Sequence, residues 1–472
     1  MRRIALAIAI GAYLLAVLAF RPHPTPGPAM RDFEAYYAAG AAWDRGEDPY
    51  GAGIWTYERA VPGVDASRER LLPFVNPPPL LPLLGAIARL PFGAAAGLWG
   101  ALLFGALVAL LACAARLVGV REPDATVALL PLALAFGPVS SDLALGQFAL
   151  VAVAGVAYAA LGFRRDRLLV AGIGTFFAAL QPTLVLPLAA FGRSARALHA
   201  LLAAATVFAL GWIVLAATSS AAAPLPYFAL LAAHGSAERF AAIQYAPSAI
   251  AFGLGGSPAS ATALGIAIAS ATVAAWCAWL LRAKPDAQTA FLTACALVPF
   301  VAPFFHEHDF ALLLLPALVA IVVARDATTT ALAVGGALLC AVDWLGLAQR
   351  PDGAWQSALL LVAFCGALAA IRGYRFAGAG YVAAAAVAVA LAIGGVLAAG
   401  HPAPVWPGAM GPLSLAPGAS AAQIWHEQQR AAHMFDPDAF SAILRALPLL
   451  GCASVAIAIA RLPRVPSDSR NP

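Results

Sequence analysis

Residues 31–50 read RDFEAYYAAGAAWDRGEDPY. Acids, arginines and aromatic rings crowd together here, in a chain of 472 residues that is 62% hydrophobic and only 11% charged. A soluble domain carries roughly 25% charged residues. A surface this apolar cannot face water, so lipid must be its solvent. Most other polar positions read as ends of membrane helices. Residues 31–50 read as a site held against the membrane surface. The longest polar stretch, about 21–77, leaves no room for a large soluble domain. The chain is therefore expected to be all-α, one polytopic membrane domain over 1–472.

A spanning helix needs about 20 apolar residues to cross a core of about 30 Å. Runs of that kind fall at 4–20, 94–118, 124–140, 146–163, 197–217, 259–281, 288–304, 310–324, 328–347, 355–371, 377–399 and 441–461. These predict about 12 spanning helices. The basic start Met1-Arg2-Arg3 and the first apolar run resemble a signal peptide. Arg21-Pro22-His23-Pro24 follows where small residues would mark cleavage, so the first helix is expected to be retained. The stretch 167–192 is apolar with arginines at both ends, Arg164, Arg165 and Arg167 before and Arg193 and Arg196 after. Pro182 in its middle removes a backbone donor and breaks the helix. Both ends then lie on one side, which predicts a re-entrant hairpin covered by protein or a wet cavity.

Arginine asymmetry puts both termini in the cytoplasm. The outer segments are then 21–93, 218–258, 305–309 and 400–440. The first should hold short helices along the membrane. Asp32 can cap one of them, with Phe33, Tyr36, Tyr37 and Gly40 turned to the bilayer interface. Gly46 and Pro49 should end it, and Pro77-Pro78-Pro79 should open another that reaches Pro91. Cys113, Cys277, Cys295, Cys340, Cys365 and Cys452 all sit in apolar runs without a CxxC partner and read as small buried hydrophobes. The net charge of +5 comes from arginines between helices. Membrane orientation accounts for it, and no nucleic-acid partner is implied.

Chemistry can gather in few places. Asp32, at the outer edge, is able to take a proton from a hydroxyl, beside its plainer role as a helix cap. His306-Glu307-His308-Asp309 is a tight turn after Pro299 and Pro303. Its spacing is not HExxH, so no metal is assigned. His306 and His308 fit hydrogen bonding to a phosphate or a sugar hydroxyl, or else a solvated turn. Gln147, after Asp142 and Gly146, reads as a sugar contact or a helix start. Arg239, among His234, Glu238, Gln244 and Tyr245, offers a forked donor set to a phosphate, or lies on the surface. Trp425, His426, Glu427, Arg430 and His433 read as an amphipathic helix. No P-loop, GxSxG or Rossmann pattern sits at a strand–helix junction, and no cofactor is expected.

These residues resemble a known family. Asp32, Tyr36 and Ala39, then Gly46, Pro49 and Tyr50, then Asn76-Pro77-Pro78, Gly146-Gln147 and Gln181-Pro182 are similar to the pattern of glycosyltransferase family 87. These are bacterial GT-C membrane enzymes that use polyprenyl-phosphate sugars. Asn76 stands where the family has an aromatic residue, and Gln181 where it has a lysine. The resemblance implies a GT-C-type bundle with Asp32 as catalytic base and inversion at the anomeric carbon. It implies a polyprenyl-phosphate-linked sugar donor, mannose or another hexose or an arabinofuranose, and a glycolipid or polysaccharide acceptor. The active site would lie on the extracytoplasmic side of the inner or plasma membrane. With Tyr37 and Arg239 added from the reading of the residues themselves, Tyr36, Tyr37, Asn76, Gln147, Arg239, His306 and His308 are the expected substrate contacts. The rival readings are a polytopic transporter and a non-glycosyl lipid-modifying transferase. A transporter needs a polar path at the membrane midplane. The spans hold few ionisable residues, Asp343 being the main exception, and the polar groups gather on one side.

Overall fold

The computed structural model describes residues 2–19, 30–67, 69–219, 222–342, 353–372, 413, 415 and 417–462. Every regular element among them is helical. The expected span 377–399 and Asp343 lie outside the described residues, as does much of 400–440.

Helix starts follow from local chemistry. Proline, which has no donor to lose, opens Pro123–Leu134, Pro182–Val185, Pro224–Glu238, Pro247–Gly253 and Pro258–Ala283. Asp286 and Asp326 accept bonds from Thr289 N and Thr329 N and so start Ala287–Val301 and Ala327–Ala341. Ser420 and Gln423 form a capping box before Ala421–Ala431. Arg2–Ala19 is α1, Arg31–Asp44 α2, Trp55–Glu58 α3, Leu81–Ala88 α4 and Phe92–Val118 α5. Pro123–Leu134 is α6, Gly137–Leu145 α7, Ala149–Arg164 α8, Leu168–Ala179 α9 and Pro182–Val185 α10. Ala195–Thr218 is α11, Pro224–Glu238 α12, Pro247–Gly253 α13, Pro258–Ala283 α14 and Ala287–Val301 α15. Leu314–Val323 is α16, Ala327–Ala341 α17, Gly353–Arg372 α18, Ala421–Ala431 α19 and Ala439–Arg461 α20.

Four helices among the described residues are long and apolar enough to cross a membrane: α5, α11, α14 and α20. The run expected at 124–140 is bent instead. α6 and α7 meet at 63°, where Gly137-Pro138 restarts the chain, and together they can make a fifth crossing. Several other expected spans are helices of 10–17 residues, among them α8, α15 and α17. One continuous apolar core takes in residues from Ala5 to Ile459.

The segment 167–192 is broken at Gln181-Pro182, with α9 before the break and α10 and a 3-10 turn (Leu186–Arg193) after it. Its ends come together. Arg196 pairs with Asp166 at 3.0 Å, and Phe191 stacks on Phe163 with ring centres 4.7 Å apart. Small residues let its first arm lie close to α8: a Cβ on Gly174 would meet Ala159 N at 2.4 Å, and one on Gly162 would meet Ala171 N at 2.5 Å.

α2 departs from expectation. Phe33, Tyr36 and Gly40 are buried in protein and do not face the bilayer. The cause is the small face of the helix. A Cβ on Gly40 would fall 2.4 Å from Leu84 O, so only glycine lets α2 and α4 touch backbone to backbone. Asp44 and Arg89 close the far end of that contact at 2.6 Å. Asp32 is also not the cap. Met30 holds that position with φ 56° and supplies no side-chain bond, and Asp32 lies one residue inside α2.

Candidate active site

A cavity of about 330 Å³ opens between α2, the tip of the 167–192 segment, α12, the 303–308 loop and α19. Helical spacing aims α2 at it. Asp32, Ala35 and Tyr36 share one face at i, i+3 and i+4 and all line the cavity. Phe33 and Tyr37 share the next face. Phe33 stacks on Trp99 at 5.1 Å, and Tyr37 meets Phe92 edge-on at 5.3 Å. Tyr37 therefore does not line the cavity, and its hydroxyl donates to Leu90 O at 2.9 Å.

Gly146 explains how Gln147 reaches Asp32. Its φ is +76°, and a Cβ there would sit 2.8 Å from Met30 Cβ and 2.9 Å from Phe33 Cβ. Only glycine fits both the turn and the approach. Trp99 Nε1 donates to Gly146 O at 2.7 Å and pins the turn. Gln147 Nε2 then donates to Asp32 Oδ2 at 2.6 Å, and Tyr36 donates its hydroxyl to Gln147 Oε1 at 2.7 Å. The nearby Asp142 does the helix-start work, accepting from Leu150 N at 2.7 Å.

The second wall is built on residues 74–77. Tyr50 donates to Asn76 O and Tyr227 to Val75 O, each at 2.9 Å, and the Tyr50 ring stacks on Phe74. This gives Tyr50 a purpose: it shapes the wall that carries Asn76. Asn76 Nδ2 donates to Gln181 Oε1 at 3.3 Å, and Gln181 Nε2 reaches Asp309 Oδ1 at 3.5 Å. The broken tip of the 167–192 segment is thus part of the cavity lining.

The third wall is basic. His306 and His308 line the cavity with rings nearly parallel, 5.3 Å apart. Asp309 Oδ2 accepts from His306 N at 3.0 Å and fixes the turn. Buried Glu238 lies 3.0 Å from His234 Nε2 and 3.4 Å from His306 Nε2, and it accepts from Gln429 Nε2 at 3.1 Å. Two neighbours compete for His306 Nε2. The Gln244 amide, 2.9 Å away, donates only to a bare Nε2, whereas Glu238 accepts only from Nε2–H, present in the imidazolium and in one neutral tautomer. Burial lowers the imidazole's affinity for a proton, but Glu238 and Asp309 outweigh it and push His306 up to about 9. Burial likewise opposes the Glu238 charge, and His306 and His234 more than offset it, holding the carboxyl well below its usual range. The pair is an ionic one at neutral pH, since charge-assisted bonds outweigh a neutral amide contact.

Behind α2 lies a sealed acid. Glu34 is fully buried, and neither of its oxygens has a hydrogen-bond partner among the described residues. Burial first, then Glu69 and Glu58, push it up to about 10, so it is a neutral carboxylic acid at neutral pH. Arg31, which lines the cavity, pairs with Glu69 at 3.0 Å.

Arg239 does not line the cavity. His234 and Glu238 are four apart and share the inner face of α12, while Arg239 lies about 100° further round. The i, i+4 pair is the readable signal there. Arg31 was missed although it precedes Asp32. α19 was read as plain amphipathic helix, yet Trp425 lines the cavity, as does Met434 just beyond the helix end. Gln428 clamps Leu71 through both backbone groups at 2.6 and 3.1 Å, so α19 closes the site. His306, His308 and Asp309 bring one donor atom each within 4.8 Å of one another. Asp309 oxygens lie 4.0 Å from His306 Nδ1 and 3.9 Å from His308 Nε2, a grouping with the donor chemistry of a metal site.

Residues 74–305 match the model of a family described as glycosyltransferase family 87. The match takes in Asn76, Gln147, Gln181, His234 and Glu238; Asp32, Tyr36, His306 and His308 lie outside it. No curated protein and no solved structure matches the chain.

Proposed function

We propose, from the premise that the chain belongs to glycosyltransferase family 87, a family of GT-C-like membrane glycosyltransferases, that Asp32 is the base of an inverting sugar transfer. The donor is a polyprenyl-phosphate sugar, mannose or another hexose or an arabinofuranose. The acceptor is a hydroxyl of a glycolipid or polysaccharide. One observation carries the assignment: Asp32 lines the cavity with one oxygen fixed at 2.6 Å by Gln147.

The step balances without further reactants. The acceptor oxygen bonds to the anomeric carbon as the bond from that carbon to phosphate oxygen breaks. The hydroxyl proton passes to Asp32, and the bonding pair leaves on the lipid phosphate. That leaving group is already a stable anion, so it needs cations and no acid. His306, held as an imidazolium by Glu238, and Arg31 face the same cavity and suit that task. General-base help supplies about 10²–10⁴-fold.

The cavity opens on the extracytoplasmic face of a single GT-C-type domain with about 12 crossings and both termini in the cytoplasm. The 167–192 segment enters and leaves on the cytoplasmic side and brings Gln181 to the cavity as a re-entrant tip. The Asp166–Arg196 pair at its two ends supports this. The test is transfer by purified protein in vesicles given labelled polyprenyl-phosphate hexose or pentose and a membrane glycolipid extract. A glycolipid product with inverted anomeric configuration is expected. Donor binding should weaken as the pH rises through about 9, where His306 loses its proton. Absence of transfer from every such donor, or retention of configuration, would overturn the reading.

A further inference from the structure

Arg445 stands within α20, one of the long apolar helices, at 1% exposure. A guanidinium persists in such a place only where protein groups take up its donors. Here they are two carbonyls of one loop and one of its own helix. Nη1 donates to Gln244 O at 2.8 Å and to Ala241 O at 3.4 Å, and Nε donates to Ser441 O of its own helix at 3.3 Å. Gly253 makes room, since a Cβ there would come within 2.8 Å of Nη2.

The loop so held reaches the cavity. Gln244 Oε1 accepts from Phe305 N at 2.9 Å, and Tyr245 N donates to Phe305 O at 2.7 Å. The orientation of the Gln244 amide is thereby fixed, with Nε2 against His306 Nε2 at 2.9 Å. Ala242 N donates to Met434 O at 2.7 Å, which ties the same loop to the cavity rim.

We propose that Arg445 is a positioning residue for His306. By gathering the carbonyls of 241–244 it holds Gln244 and Tyr245 on the backbone of Phe305, the residue before His306, and so sets how that ring faces the cavity. The proposal rests on the transferase reading only in taking His306 to face the donor phosphate. Lysine carries one compact charge and reaches fewer carbonyls than the planar fork of arginine, so it should restore part of the effect.

The experiment compares Arg445→Met and Arg445→Lys with the wild type as purified full-length protein. Donor KM should rise about tenfold in Arg445→Met while kcat stays within about threefold, with much of the loss recovered in Arg445→Lys. A lower active fraction at unchanged KM would mark a merely structural arginine and overturn the proposal. If Arg445→Met does not fold, Gln244→Leu breaks the same chain of contacts downstream and must reproduce the rise in KM; an unchanged KM there also overturns it. A second readout needs no sugar transfer. Diethyl pyrocarbonate labelling, followed residue by residue, should modify His306 faster in Arg445→Met and in Gln244→Leu, with exposed His433 as the internal control. Unchanged His306 labelling defeats the positioning role even where transfer is real. A wild type that transfers no sugar defeats the transferase reading and leaves the labelling result to decide this one.

Discussion

α2 and α14 show opposite uses of a helix in one chain. α2 has 14 residues, carries Asp32 and Glu34 in its first turn, and is mostly buried. α14 has 26 residues, is apolar almost throughout, and buries only Ala261. In water the polar helix would lie outside and the apolar one inside. Lipid as solvent permits the inversion: a polar helix can be buried for contact and chemistry while an apolar one stays exposed at no cost. α2 should therefore be intolerant along its length and α14 permissive. The substitutions that follow probe that contrast.

The largest effect is expected at Asp32. Asp32→Asn keeps the size and can still accept from Gln147, but it cannot take a proton. A rate fall of roughly two to four decades should follow in a donor-saturated assay, with donor binding retained. Because Met30 and not Asp32 occupies the cap, the melting temperature should hold, and Asp32→Ala should not show the loss of about 1 kcal/mol expected of a cap. Asp44→Asn and Asp48→Asn, in the same stretch, should keep substantial activity. Near-normal transfer by Asp32→Asn would move the base elsewhere.

Gly40→Ala comes next. The added methyl group has Leu84 O at 2.4 Å and Leu84 C at 2.5 Å, both backbone atoms that cannot swing away. Overpacking of this kind costs about 1–3 kcal/mol. The loss should appear as a lower melting temperature with donor KM little changed, because Asp32 lies two turns away. A fully stable variant would mean that α2 and α4 are free to separate.

Glu34→Gln sharpens the contrast in the other direction. Glu34 is raised from about 4.5 to about 10, chiefly by burial. A group raised on folding lends stability that is fully present below its unfolded value and lost as pH rises towards the folded one. The wild type should lose stability between about pH 4.5 and pH 10, relative to a variant that cannot ionise. Glu34→Gln should match the wild type near pH 4 and exceed it by on the order of 1–2 kcal/mol near pH 8. Parallel curves would mean that Glu34 is charged and paired in the folded protein.

This contrast also explains what could be read in advance. Composition gave the class, because 11% charge over 472 residues admits only a membrane protein. Gly146-Gln147 and His306–His308 could be singled out because glutamine and histidine are scarce in an alanine-rich background. The break at Gln181-Pro182 was legible from proline alone. The facing of α2 was not, since Phe33, Tyr36 and Gly40 look the same against lipid as against Leu84 and Trp99. Nor were the distant partners of Glu238 and of α19. Gln429 meets Glu238 across 191 residues and Gln428 meets Leu71 across 357, and no local pattern encodes such a pairing.

The smallest effect is expected on α14, and it tests the other half of the contrast. Ile266 is 62% exposed, and none of the 18-residue apolar window of α14 is buried. If lipid covers this face, Ile266 touches hydrocarbon whether or not the helix is docked. Truncation then removes almost nothing that depends on folding, since lipid tails are as apolar as the side chain. Ile266→Ala should change stability by less than about 0.5 kcal/mol and leave donor KM and kcat unaltered. If a second copy of the chain covers α14 instead, the same change opens a void in a packed interface. Stability would then fall and would depend on protein concentration. Melting curves at two protein-to-lipid ratios separate these cases. A concentration-dependent loss in Ile266→Ala would mean that α14, like α2, is a helix selected for contact.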